Sequence, residues 1–144
     1  MPMVREILAR KGPEAIGVAP ATTVLEAARL MNDRGIGSVL VKEGDRLIGI
    51  FTERDVLRRV VADQRDPATT PVRDVMTASL VTCTPDTPIE ECTAILTSRR
   101  IRHLPVVDAA GIRGVISSRD LLGFKMAEQE ATIEHLNRYV FDVR

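Results

Sequence analysis

The 144-residue chain is short of aromatic side chains, with one Tyr, three Phe and no Trp, 3% in all. With so few flat rings it has no stacking platform for single-stranded nucleic acid. It also lacks an excess of charge, because 20 Lys and Arg balance 20 Asp and Glu. A net charge near zero gives no long-range pull on phosphate backbones, so no nucleic-acid partner is expected. Cysteine is scarce as well. Cys83 and Cys92 have no metal-ligand spacing and do not make a disulfide scaffold in a chain of this size. Free, buried thiols in a reducing cytoplasm are expected instead. No apolar run approaches the roughly 20 residues of a membrane-spanning helix. The opening MPMVREILARKG carries charges where a secretory signal needs a continuous apolar run. The expectation is a cytoplasmic protein with no membrane partner. The only histidines, His103 and His135, lack triad-like or metal-like companions, and neither cysteine has a recognisable base nearby. No catalytic residue and no metal site is assigned, and a non-enzyme is expected.

What the chain does have is a repeat. FTERDVL from Phe51 returns as ISSRDLL from Ile116. Asp120 minus Asp55 is 65, and that offset aligns positions 22 to 57 with the second copy without a gap. Val24 meets Ile89, Met31 meets Leu96, Ile36 meets Ile101, Gly49 meets Gly114 and Leu57 meets Leu122. A preamble recurs too: VREIL from Val4 resembles VRDVM from Val72, at an offset of 68. Self-similarity of this kind predicts two stacked units, each too small to bury its apolar face well alone. With 44% hydrophobic residues there is enough apolar surface for a packed interior once the halves meet. The expected division is residues 1–65 for the first repeat with its N-terminal helix, 66–125 for the second, and 126–144 for a C-terminal helical tail.

Each half reads as short strand, helix, strand, strand, helix, an α/β unit of β-α-β-β-α order related to the other by a pseudo-twofold. Thr23-x-x-Glu26 and Thr87-x-x-Glu90 are expected to cap the first helix of each half, with Pro88 at the first helical position of the second. The first helix should stop near Gly35. SVLVKEGDRLIGIF and LPVVDAAGIRGVIS predict hairpins. Thr52-x-x-Asp55 and Ser117-x-x-Asp120 each open a further helix. After Leu122 the second copy runs on without a break, and Ile133, Leu136 and Val140 form an apolar stripe. That tail either folds back on its own chain or packs on a second chain.

A paired GIFTERD and GVISSRD after a strand, with IRHLPVVD before the second hairpin, resembles a tandem CBS-domain pair, the Bateman module. The resemblance runs from about Val4 to Lys125, and small stand-alone bacterial CBS-pair proteins with a helical tail are the nearest in kind. It implies that the cleft between the repeats binds an adenine nucleotide (AMP, ADP, ATP or NAD) and that two chains form a flat homodimer. It further implies adenine slots at Gly17, Val18 and Ala19 for the Asp120 site, and at Thr82, Cys83 and Thr84 for the Asp55 site. Thr82 and Thr84 would offer hydrogen bonds to the base edge. Ile36 and Ile101 are candidate slot walls or plain core residues. Arg102, His103 and Pro105 stand where the first copy has Gly37, Ser38 and Leu40. In related pairs basic residues here touch phosphate, which would make one site more attractive to anions; the alternative is a solvated Arg102 and an ordinary core or capping His103.

The motif has its own chemistry. An ionised Asp only accepts hydrogen bonds and repels phosphate, whereas a ribose offers two neighbouring hydroxyl donors. Asp55 and Asp120 are therefore assigned to ribose. Thr52 and Ser117 would add a hydroxyl near the sugar or phosphate, and Arg54 and Arg119 would reach phosphate oxygens. The competing explanation is helix capping, in which hydroxyl and carboxylate only tie up backbone amides. The expected function is a regulatory sensor that needs no cofactor and signals to an effector protein in trans; the alternative is a non-catalytic assembly module with degenerate pockets.

Overall fold

A computed structural model describes residues 1–12 and 15–142, with side chains described to Arg138. Helix α1 (Val4–Lys11) leads to a two-residue strand β1 (Gly17–Val18), helix α2 (Val24–Arg34), and the hairpin β2 (Ser38–Glu43) and β3 (Arg46–Thr52). A single helical turn α3 (Glu53–Asp55) continues as a π-helical run, Val56–Val61. After a 3-10 turn at Val72–Asp74 come α4 (Ile89–Arg99), the hairpin β4 (His103–Asp108) and β5 (Gly111–Ser117), and α5 (Ser118–Asp142). The α/β architecture with two like halves and a C-terminal helix is as the repeat predicts.

Local chemistry explains most boundaries. Thr23 accepts from the Glu26 amide and Glu26 reaches back to the Thr23 amide, so the first capping box forms. Gly35 ends α2 in the left-handed conformation, φ 63°, which glycine adopts without steric cost. The second capping box does not form as expected. Pro88, which sits 65 residues after Thr23, occupies the cap position of α4 and has no side-chain acceptor. The Thr87 hydroxyl instead takes the Thr84 amide at 2.9 Å. The hairpins match in detail: each carries a register shift, between Val41 and Lys42 and between Val106 and Val107. The first strand of the second half shrinks to one parallel bridge, Cys83 to Val106, so the sheets have three strands and two.

The preambles are exchanged between halves. Val4 and Ile7 of α1 are buried in a core with Cys83, Ile89, Cys92, Leu96, Leu104 and Ile116 of the second half. Val72 and Val75 are buried with Val24, Met31, Val39, Val41 and Phe51 of the first. Backbone hydrogen bonds repeat the exchange in pairs: Val4 N–H to Thr87 O at 2.9 Å and Val72 N–H to Thr22 O at 2.8 Å, Arg5 N–H to Pro85 O at 2.9 Å and Arg73 N–H to Pro20 O at 3.2 Å. Arg10 also lies 4.7 Å from the Phe124 ring centre, holding α1 to α5.

Both cysteines are free and buried. The neighbouring Cys92 thiol and burial push the Cys83 thiol well above the ordinary range, and its Sγ donates to the Pro105 carbonyl at 3.8 Å, so it stays protonated and packs as an apolar group. The tail does not fold back on its own chain over its described length. Met126, Ile133 and Leu136 are more than half exposed, while the Val140 side chain falls outside the described residues.

If the exchange holds the second half together, Ile7→Ala should destabilise the protein by about 2–5 kcal/mol. Hydrogen exchange should then quicken first at amides of β4 and β5. Faster exchange confined to β2 and β3 would contradict the packing.

Candidate functional site

Two clefts open where the halves meet, one under each Asp of the repeated motif. The Asp55 cleft, with a volume of about 240 Å³, is lined by Thr52, Arg54, Asp55, Ile101, Arg102, His103 and Pro105 among the residues expected from sequence. The Asp120 cleft is wider, about 830 Å³, and is lined by Ser117, Arg119, Asp120, Ile36, Arg102 and His103. Ile36 is exposed at the cleft and not a core residue; Ile101 both lines its cleft and packs against the second core.

The expected base-slot residues sit elsewhere. Gly17 and Val18 pair with Leu40 and Val41 in β1, and a side chain at Gly17 would collide with Lys42. Thr84 is tied to Thr87 and to the Asp86 amide. Neither these residues nor Ala19, Thr82 and Cys83 line the clefts. The walls come from Ala15 and Ile16 at the Asp120 cleft and Leu80 and Val81 at the Asp55 cleft, again 65 residues apart. The residues that line the clefts thus precede the expected ones in the same two segments.

Arg102 and His103 line both clefts; they do not favour one alone. Gly37 makes room for this. A Cβ built there would lie 3.5 Å from His103 Nε2 and 3.2 Å from Glu53 Oε1. Burial pushes the His103 imidazole below its ordinary value, and the nearby Lys11 charge adds to that, so it is neutral at physiological pH.

Each Asp also caps its helix, as the alternative reading has it. Asp55 Oδ2 accepts the Thr52 amide at 2.9 Å and the Thr52 hydroxyl at 3.2 Å. Asp120 Oδ2 accepts the Ser117 amide at 2.9 Å and the Lys11 ammonium at 2.8 Å. Capping and groove-facing placement coexist, since each carboxylate still lines its cleft. The environments differ. Burial pushes the Asp55 carboxyl above 3.8, outweighing the Thr52 hydrogen bonds and the Arg59 and Arg54 charges. Burial acts the same way on Asp120, but there Lys11 and the Ser117 amide win and hold the carboxyl below 3.8.

Several lining residues were not singled out from sequence. Arg58, Arg59, Thr77 and Ser79 line the Asp55 cleft, and Lys11 the Asp120 cleft. Arg59 donates to the Met76 carbonyl at 2.8 Å. Arg100 is the most telling. It occupies the position of Gly35, keeps the left-handed conformation at φ 54°, and its carbonyl accepts from Arg54 at 3.2 Å. An arginine where the other copy has glycine was a readable signal of local strain. Among the described residues no cluster of His, Cys, Asp and Glu is arranged to hold a metal, and no helix is long and apolar enough to cross a membrane.

The family model for the CBS domain matches twice, over residues 4–62 and 72–127. The Arabidopsis thaliana mitochondrial CBS domain-containing protein CBSX3 is 33% identical over 146 residues, covering 95% of this chain and 71% of that protein. A solved structure of a protein with CBS domains from Burkholderia ambifaria superposes with a TM-score of 0.85 at 38% identity, covering 89% of this chain and 96% of that one. The CBS domain pair of protein MJ0100, solved in complex with 5'-methylthioadenosine and S-adenosyl-L-methionine, shares the fold at a TM-score of 0.76 and 22% identity, over 85% of this chain and 98% of that one. With both halves matched and their junction forming paired clefts, the chain belongs to the CBS-domain family and carries the domain as a tandem pair.

Proposed function

We propose that this chain is a cytoplasmic regulatory sensor that binds an adenine nucleotide (AMP, ADP, ATP or NAD) in the clefts between its repeats, does no chemistry on it, and signals to a separate effector protein. The observation that carries this reading is the placement of Asp55 and Asp120, each inside a cleft, next to arginines and a basic or neutral wall. A carboxylate accepts both hydroxyls of a ribose, and the neighbouring Arg54 or Arg119 takes the phosphate that the carboxylate would repel. Ile36 and Ile16, or Ile101 and Val81, supply apolar walls for the base. The wider Asp120 cleft has room for a dinucleotide such as NAD. The MJ0100 pair, of the same fold, holds adenosine-containing ligands. Binding would bridge the halves and shift their arrangement only insofar as the ligand prefers one arrangement over another.

The protein would act as a homodimer. Leu57 and Val61 are exposed on the first half, and Leu122 and Met126, at the same offset of 65, are exposed on the second. Along α5 the exposed Leu122, Met126, Ile133 and Leu136 fall on the seam positions of a coiled-coil heptad, with Gln129 at the one seam position between Met126 and Ile133. In a parallel pair Lys125 of one copy would face Glu130 of the other, an attractive flank to that seam. A second reading, an assembly module whose clefts take no ligand, draws on the capping role that both carboxylates already perform.

Binding decides between the two. AMP, ADP, ATP or NAD at millimolar concentration should raise the melting temperature, and no shift with any of them favours the assembly module. Asp55→Ala and Asp120→Ala should each weaken one site by about 1.5–3 kcal/mol, and 2'-deoxy-AMP should bind worse than AMP; equal binding would remove the ribose assignment. Ribose binding needs the ionised carboxylate. As pH falls toward 3.8, the raised Asp55 takes a proton before the depressed Asp120. Calorimetry should therefore show the Asp55 site failing at a higher pH than the Asp120 site, and the opposite order would refute the electrostatic account. Deleting the tail from Glu128 onward should weaken self-association, and sedimentation showing an unchanged dimer would reject that surface.

A further inference from the structure

The two clefts treat their carboxylates differently, and the difference is carried by the exchanged segments. Lys11 is the last residue of α1. Its ammonium donates to Asp120 Oδ2 at 2.8 Å and to the Val115 carbonyl at 2.7 Å. Oδ2 also takes the Ser117 amide at 2.9 Å, so both its lone pairs are engaged. A ribose that is to be held by both carboxylate oxygens must take the place of one of these donors. The backbone amide is fixed by the cap, which leaves the ammonium as the donor that yields. At the other cleft the position of Lys11 falls, at the offset of 68, on Ser79. The second donor on Asp55 Oδ2 is the Thr52 hydroxyl, a neutral group that can turn and accept instead, and the cation there, Arg59, stands off at 3.8 Å from the other oxygen, Oδ1.

We infer that Lys11 is a built-in occupant of the Asp120 site that makes this cleft selective for anionic nucleotides over neutral nucleosides, an inference that rests on the Asp120 cleft being a nucleotide site. An ammonium displaced from a carboxylate in a partly buried groove loses a charge-assisted partner. A phosphate on the incoming ligand replaces that partner; adenosine has nothing to offer it. The lysine stem has the freedom to follow the anion. Because Ala15 and Ile16 of the same chain segment form the cleft wall, the residue that senses the anion and the wall that receives the base are joined.

The test uses the full-length protein carrying Asp55→Ala, so that only the Asp120 cleft reports. Affinities for AMP and adenosine are measured by calorimetry with and without Lys11→Met, which keeps the apolar stem. The preference for AMP over adenosine should fall by about tenfold or more, the scale of one charge-assisted hydrogen bond, chiefly because adenosine binds better. A companion variant, Ser79→Lys in the protein carrying Asp120→Ala, should weaken adenosine more than AMP at the Asp55 cleft. An unchanged ratio, or a parallel loss for both ligands, would overturn the role of Lys11 while leaving the nucleotide site standing. If neither ligand binds the protein with Lys11 intact and Lys11→Met does not restore adenosine binding, both the inference and the site fall.

Discussion

Two backbone hydrogen bonds, Val4 to Thr87 and Val72 to Thr22, fasten each opening segment to the opposite half, and the clefts depend on that fastening. Each half taken alone has an apolar face that its own sequence does not cover. The exchanged segments cover it, with Val4 and Ile7 on one side and Val72 and Val75 on the other. They also bring the chain past the carboxylates: the end of α1 to Asp120, and the residues after the 3-10 turn to Asp55. Burial and site construction are thus the same event.

Much of this is legible in the amino-acid sequence. The constant offset implied two like halves because it matches a whole segment without a gap, and hydroxyl-to-acid spacing implied helix starts at Thr52 and Ser117 because capping is a local rule written in adjacent residues. The helix stop at Gly35 was readable for the same reason. The failures are of other kinds. The box at Thr87-x-x-Glu90 does not close because α4 begins one residue later than that pattern implies, at Ile89, and its cap, Pro88, carries no acceptor. The base slot was assigned to Gly17 and Thr82, although strand pairing claims Gly17 and leaves Ile16 and Val81 at the cleft. Lys11 and Arg59 lay beyond reach because what they touch, at Asp120 and Met76, is set by packing between distant segments, whereas Arg100 in the place of Gly35 was legible.

The halves are similar without being equivalent, and their departures from symmetry cluster at the clefts. Gly35 and Arg100 share a left-handed backbone, yet only the arginine brings a side chain. Gly37 is matched by Arg102, Ser38 by His103, and Lys11 by Ser79. The interior, in contrast, keeps apolar residues at matched positions: Val24 and Ile89, Met31 and Leu96, Val41 and Val106 are all buried. A packed interior tolerates little change in volume, whereas a groove facing solvent can be re-equipped one side chain at a time.

The trading of opening segments bears on how such a chain assembles. Neither half can reach its final packing until the stretch ahead of the other has arrived, so the earliest-made residues wait for α4 and β4 before they are sheltered. Contacts that span most of the chain slow closure but bind the two lobes into one cooperative transition. A fragment carrying one lobe alone would meet the same need by lending its opening segment to a twin, and joining two such twins end to end reproduces the connectivity seen in this fold.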